Sequence, residues 1–100
     1  MRAEIDQIRE NVSEAERYLK GMANQNRLLI LCALMDREVS VSELNAEVDL
    51  SQSALSQHLA MMRELGFVST RKEAQVVYYR VCDDKVRSLL SALHQTFCSD

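Results

Sequence analysis

The stretch Ser51 to Gly66, SQSALSQHLAMMRELG, decides how the rest of the chain is read. Ser51 is placed to cap a helix, its hydroxyl accepting one of the backbone N–H groups that a first turn leaves unpaired. Leu55, Leu59, Met62 and Leu65 recur at helical spacing and make one face apolar. Gly66 closes the helix, because glycine enters a left-handed C-terminal turn without steric cost. The opposite face of the first turns carries Gln52, Ser53, Ser56 and Gln57, short uncharged side chains rich in donors and acceptors. A merely solvated helix would more usually show Lys and Glu there. Amides and hydroxyls at the front of a short helix suit base edges in a major groove, so the segment reads as a recognition helix.

Working outward, Ser40-x-x-Glu43 is a capping box that opens a shorter helix with Leu44 and Val48 facing inward. Asp49 and Leu50 make the tight turn into Ser51. A short helix, a turn and a polar-fronted helix form a helix-turn-helix over residues 42–66. Before it, Asn24 caps a helix predicted over Gln25 to Met35. Leu28, Leu29, Ile30, Leu31, Ala33 and Leu34 make that helix apolar almost all round, which predicts a place at the centre of the core, with Cys32 inside the run. Asp36-Arg37-Glu38 is a polar turn, and Val39 and Val41 predict a brief strand.

After Gly66, Phe67 to Arg71 and Val76 to Val81 are rich in β-branched and aromatic residues and read as two strands joined by Lys72 to Gln75. This hairpin over 67–81 is a wing. Arg71, Lys72 and Arg80 are placed to meet phosphates or a minor groove, although edge-strand protection alone would also explain cations there. Arg63 adds a cation at the end of the recognition helix. His58 either contacts phosphate or packs beneath that helix.

The ends of the chain read as helices too. From Ala3 to Lys20, just before Gly21, the residues Ile5, Ile8, Val12, Ala15 and Leu19 are separated by three, four, three and four positions, the spacing of a coiled-coil seam. Asp83 or Asp84 caps a last helix, to about residue 98, carrying Val86, Leu89, Leu90, Leu93 and Phe97 on one side. A small domain has little use for so much apolar stripe. The stripes predict a homodimer through the first (3–20) and last (83–98) helices, with two recognition helices presented to a palindromic site. Packing within one chain is the plainer alternative for the first helix.

Composition agrees with a single domain over 1–100, mainly α with a small β-hairpin wing. The chain is 47% hydrophobic and 27% charged with two Gly and no Pro, which excludes a disordered chain. Its longest apolar run, Leu28 to Met35, covers eight residues, so no membrane span is expected. Three cysteines without paired spacing argue against a disulfide scaffold and for a reducing cytoplasm. The net charge of −3 is unevenly spread. Residues 51–82 hold Arg63, Arg71, Lys72 and Arg80 against Glu64 and Glu73, so the proposed reading head carries +2. No hydrolytic triad, phosphate loop or metal-hydrolase motif appears, and the chain does not read as an enzyme.

With these motifs in place the chain resembles the ArsR family of small dimeric winged helix-turn-helix regulators. The residues carrying the resemblance are Ala23-Asn24-x-x-Arg27-Leu28-x-Ile30-Leu31, Val41-Ser42-x-Leu44, SQSALSQHL from Ser51, Leu65-Gly66-Phe67-Val68 and Val77-Tyr78-Tyr79-Arg80. The resemblance implies DNA contacts from Gln52, Ser53, Ser56, Gln57 and the wing cations. Metal-sensing members carry thiols in the helix before the turn, where this chain has Glu43-Leu44-Asn45-Ala46-Glu47. Others bind zinc between the last helices; the matching positions here are Asp83, Lys85, Thr96 and Ser99, and Lys85 cannot replace an imidazole ligand. Neither usual metal site is expected, and no cofactor.

Cys32 and Cys98 instead resemble the thiol-sensing branch of the family, the HlyU-like, BigR-like and SqrR-like regulators, and Arg71 to Arg80 is HlyU-like in pattern. That resemblance implies a Cys32/Cys98 dithiol switch that responds to reactive sulfur species or oxidants and lowers DNA affinity. Promotion of toxin genes by displacing a nucleoid silencer is the other outcome known in the branch. A lone Cys32 would read as a small core residue. Cys98 is the more accessible candidate to react first. His94, four residues earlier, stabilises that thiolate, belongs to the surface, or joins Cys98 and Cys32 in a metal site. Cys82, at a strand-to-helix junction, reads as structural.

Overall fold

A computed structural model describes residues 2–98 of the chain. Its elements are α1 (Arg2–Met22), α2 (Gln25–Ala33), β1 (Val39–Ser40), α3 (Val41–Val48), α4 (Gln52–Glu64), β2 (Val68–Glu73), β3 (Val76–Val81) and α5 (Asp84–Cys98). The strands form an antiparallel sheet in the order β1-β3-β2. This is the expected winged helix-turn-helix, with one short strand added to the edge of the wing. Ser99, one of the positions matched to the family's zinc site, lies outside the described residues.

Local chemistry fixes most boundaries. Asn24 Oδ1 accepts from the N–H groups of Asn26 and Arg27 at 2.9 and 3.1 Å and starts α2. Ser40 Oγ accepts from Glu43 N–H at 3.2 Å, while Glu43 Oε1 accepts from Ser40 N–H at 3.3 Å, which completes the capping box of α3. Asp49 ends α3 in the left-handed region at φ 48°. Its neighbour Leu50 is held by Asn45, whose Nδ2 donates to the Leu50 carbonyl at 2.9 Å. At the far end of α4, Phe67 N–H donates to Met62 O and Gly66 N–H to Arg63 O, with Gly66 at φ 83°. That pair of bonds is a Schellman close, which needs the left-handed residue that glycine supplies.

The core gathers Ile30, Leu31 and Leu34 from α2 and its end, Leu44 from α3, and Leu55, Leu59 and Met62 from α4. Phe67, Val68 and Val81 from the wing and Val86 and Leu90 from α5 complete it. Leu29 points outward, however, and Cys32 is exposed, so α2 is central along one side only. The helix also stops at Ala33, before the expected Met35.

Three further expectations are corrected. Gly21 lies inside α1, not after it, and it is buried against the wing. A Cβ on Gly21 would sit 2.6 Å from the Phe67 ring and 2.8 Å from Leu65, so the residue is a point of close approach between α1 and the wing. Val41 begins α3 and is not in the strand; β1 is Val39–Ser40, paired with Tyr79 and Tyr78. The wing loop is tighter than expected. Lys72 and Glu73 remain in β2, opposite Val77 and Val76, leaving only Ala74 and Gln75 to turn the chain. Ala74 accordingly takes a left-handed φ of 55°.

The seat of α1 is narrow. Tyr18 and Met22 are buried, and the Tyr18 ring stacks on Phe67 with centroids 5.2 Å apart. Tyr18 Oη donates to Asp83 at 2.5 Å, and Asp83 caps α5 by accepting from the N–H groups of Lys85 and Val86. Lys85 pairs with Glu14 at 2.6 Å. Between α1 and α5 runs an open, mostly apolar groove of about 560 Å³, lined in part by Ala15, Tyr18, Leu19 and Leu89. Among the described residues no helix is long and apolar enough to cross a membrane.

Candidate nucleic-acid interface and thiol pair

Helix α4 is set by its two ends and its buried face. Ser51 Oγ accepts from Ala54 N–H at 3.1 Å, as the sequence predicts. Leu55, Leu59 and Met62 are no more than 2% exposed, which fixes the rotation of the helix about its axis. With that face inward, Gln52, Ser53, Ser56 and Gln57 are all exposed, and at offsets of one, four and five from Gln52 they lie along one side of the helix. His58 is half-buried at the edge of this polar face, and Arg63 is exposed in the last turn.

Two arginines outside the reading head hold α4 to α1, and sequence reasoning gave them no such role. Arg17 Nη1 donates to the Leu65 carbonyl at 2.9 Å, just past the end of α4. Arg27 Nε donates to the Gly21 carbonyl at 2.8 Å while its Nη1 lies 3.3 Å from Met61 Sδ. Both span distances in sequence that no local spacing rule covers. Arg17 also lies over the Tyr18 ring at 4.8 Å, adding a cation–π contact to the same joint.

The three wing cations are placed differently from one another. Arg71 is engaged: Nε and Nη2 donate to Glu38, Nη1 donates to Glu73 at 2.9 Å, and the guanidinium lies 4.6 Å over the Tyr78 ring. Hydrogen bonds from Arg71 hold the Glu38 carboxyl below its usual range despite some desolvation, and the same carboxylates push Arg71 up. Lys72 is exposed on the opposite face of the hairpin, since side chains alternate along a strand. Arg80 is exposed at the base of the wing, opposite Ser69.

Two of the three cysteines lie within electrostatic reach of one another. Cys32, on α2, and Cys98, the last residue of α5, are both exposed free thiols. Partial burial pushes the Cys32 thiol up, and a negative charge at Cys98 acts on it in the same direction. Cys82 is engaged elsewhere: its Sγ–H donates to the Gly66 carbonyl at 3.4 Å and its N–H to Phe67 O at 3.0 Å, joining the strand end to the close of α4. His94 is exposed on α5. At the family's zinc positions, Asp83 is committed to Tyr18 and the α5 cap, and Lys85 to Glu14. Thr96 Oγ1 donates to the Ala92 carbonyl. Among the described residues no three His, Cys, Asp or Glu side chains group as metal ligands would.

Comparison with known proteins agrees with this geometry. A family model described as "Bacterial regulatory protein, arsR family" matches residues 24–70. The transcriptional activator HlyU of Vibrio cholerae serotype O1 is 48% identical over 94 residues, covering 94% of this chain and 87% of that protein. The solved structure of reduced HlyU from Vibrio cholerae N16961 superimposes with a TM-score of 0.88 at 48% identity, covering 93% of this chain and 98% of that one. The crystal structure of the transcriptional repressor BigR from Xylella fastidiosa gives a TM-score of 0.90 at 33% identity, covering 95% and 97%.

Proposed function

The chain belongs to the arsR family of bacterial regulatory proteins, and from that premise we propose that it is a cytoplasmic homodimer that reads a palindromic operator and is released by oxidation of Cys32 and Cys98. It is a transcriptional regulator and not an enzyme. The observation that carries the reading half is the rotation of α4, which buries Leu55, Leu59 and Met62 and leaves Gln52, Ser53, Ser56 and Gln57 to base edges. His58, Arg63 and Lys72 serve phosphates in this proposal. Arg71 joins them only by exchanging Glu38 and Glu73 for DNA, and Arg80 stands further back, at the base of the wing.

The dimer is proposed from the apolar seam that α1 leaves outward, Ile5, Ile8, Val12 and Leu19, and from the groove beside it. Phe97, 77% exposed near the end of α5, extends that surface. Two copies joined there carry two copies of α4, as a two-fold operator requires.

For the switch, the electrostatic reach between Cys32 and Cys98, on α2 and α5, supports a bridge between the two helices. With Cys32 held toward its protonated form, Cys98 attacks first. With peroxide, the Cys98 thiolate is oxidised to a sulfenic acid, which condenses with the Cys32 thiol to give a disulfide and water. With an organic persulfide, Cys98 takes the outer sulfur and releases a thiol. Attack by the Cys32 thiolate on the Cys98 sulfur then expels hydrosulfide and leaves a disulfide. A Cys32 that has itself taken an outer sulfur from a second persulfide attacks in the same way and leaves a trisulfide, a gain of one sulfur. A DNA-affinity change of about 1–3 kcal/mol, roughly 5–150-fold, would suffice for release. The test is operator binding together with intact mass after each oxidant. Loss of two hydrogens, or gain of sulfur, mapped to Cys32–Cys98 and accompanied by DNA release is expected. A Cys32→Ser, Cys98→Ser variant that is still released by oxidant overturns the switch.

A further inference from the structure

The turn after α2, strand β3 and the first turns of α5 border an open polar cavity of about 400 Å³ with no residue of α4 in its lining. Its walls carry Arg37, Arg80 and Arg87 together with Asp36 and Glu38. A guanidinium offers five N–H donors in a planar fork and no acceptor. Arg37 commits only Nη2, which donates to both Glu47 oxygens at 2.7 and 2.8 Å. Arg87 donates from Nη1 to Asp84 at 2.7 Å and from Nη2 to the Val81 carbonyl at 2.6 Å.

Arg80 is the unusual member. Its backbone belongs to the β2–β3 ladder, but among the described residues its side chain makes no hydrogen bond, and it acts on Glu38 through the electric field alone. Glu38 is already gripped by Arg71 through Nε and Nη2. The cavity therefore gathers three cations from three separate elements. Arg37 is paired with Glu47 and Arg87 with Asp84, while Asp36 and Glu38 stand in the same wall, Glu38 engaged by a fourth arginine. Arg80 is thus the cation whose own donors are uncommitted. Several guanidinium donors are left facing a polar space.

We propose that this cavity is an oxyanion site of the phosphate class, with Arg80 as its principal donor and the spare N–H groups of Arg37 and Arg87 completing the grip. Charge-assisted, bidentate bonds of this kind are the strongest that arginine makes. Asp36 and Glu38 oppose the anion from the wall and limit how much charge the site accepts. The phosphate is either a free ion or ester, or a DNA phosphodiester. The geometry favours the free ion, because Arg80 is four positions along β3 from the hairpin end at Val76, about 13 Å of strand.

The test compares melting temperature in sodium phosphate and in sodium chloride at equal ionic strength, for the parent chain, Arg80→Ala and Arg80→Lys. Phosphate also stabilises proteins generally by exclusion from their surface, so the readout is the difference between parent and variant. A saturable rise that is lost in Arg80→Ala and partly kept in Arg80→Lys is expected. The salt dependence of DNA binding separates the sources: a slope unchanged in Arg80→Ala assigns the site to a free ion. No phosphate-specific rise, with a slope smaller by about one, assigns it to a DNA phosphate. An equal rise in parent and Arg80→Ala, or no rise with an unchanged slope, overturns the proposal. In the unmodified protein, an Arg80 Nε–H resonance that stays still on titration with phosphate and with DNA overturns it as well, whatever the variants do.

Discussion

Two helices of this chain carry the same apolar rhythm and meet opposite fates. Along α4, Leu55, Leu59 and Met62 are at most 2% exposed; along α1, Ile5, Ile8, Val12 and Leu19 are 47–62% exposed. Both stripes follow spacings of three and four. What α1 buries within its own chain is a different set, Tyr18, Gly21 and Met22, at the C-terminal end of the helix. Periodicity thus identifies an apolar face and leaves open what lies against it. Inside one chain α4 is a core helix, whereas α1 is tethered at one end and offers the rest of its seam outward.

The sharpest way to break this contrast is to truncate each stripe. Leu59→Ala should lower stability by about 2–5 kcal/mol in urea denaturation, since the site is closed on all sides. Ile8→Ala in dilute protein should cost about 0.5 kcal/mol or less. Equal losses would mean that the α1 seam is packed within the chain after all.

The tether itself is tested next. Gly21→Ala should destabilise by about 1–3 kcal/mol, because the added methyl meets a buried, rigid Phe67 ring. Tyr18→Phe removes the bond to Asp83 and should cost roughly 1.5 kcal/mol. The same pair sets a pH dependence. Burial works against the Asp83 charge, but the bonds from Tyr18, Val86 and Lys85 and the charge of Lys85 outweigh it and hold the carboxyl below its usual value. Its contribution is therefore present in full above the ordinary Asp value of about 3.9 and is lost as pH falls through the lower folded value. Tyr18→Phe should flatten that acid limb of the stability profile. If the limb is unchanged, Asp83 is not what holds α1 to α5.

Smaller effects refine the picture. Val12→Glu should leave the fold intact yet weaken self-association at least tenfold, about 1.4 kcal/mol, by sedimentation equilibrium. Unchanged association would remove α1 from the proposed interface. Ala74→Gly should raise stability by about 0.5 kcal/mol in thermal denaturation, relieving the left-handed backbone at the wing tip. A loss instead would show that the tip tolerates its φ without strain.

The features legible in the sequence are those whose partners lie within a helical turn. Ser40 with Glu43, Ser51 with Ala54, and Asn24 with Asn26 and Arg27 act over two or three residues, so their spacing announces them. Gly66 is legible for a similar reason, since a Schellman close is local. Misreadings fall where partners are distant. Gly21 reads as a break between helices, yet its constraint is Phe67, which arrives from the wing. Arg71 reads as a free wing cation, yet Glu38 reaches it from the turn before β1. Lys72 reads as loop because the two-residue turn at Ala74–Gln75 lacks the glycine or asparagine that usually marks one.

By itself the sequence determined the helix-turn-helix, the polar front of α4, the wing and the apolar seams of α1 and α5, because caps, turns and periodicity are short-range properties of a chain. Only the tertiary structure decided which seam is core and which is left outward, and only it drew Arg37, Arg80 and Arg87 around one cavity. Those are meetings of residues far apart in sequence. No local propensity encodes them; they follow from how the buried faces of α2, α4, α5 and the wing close on one another.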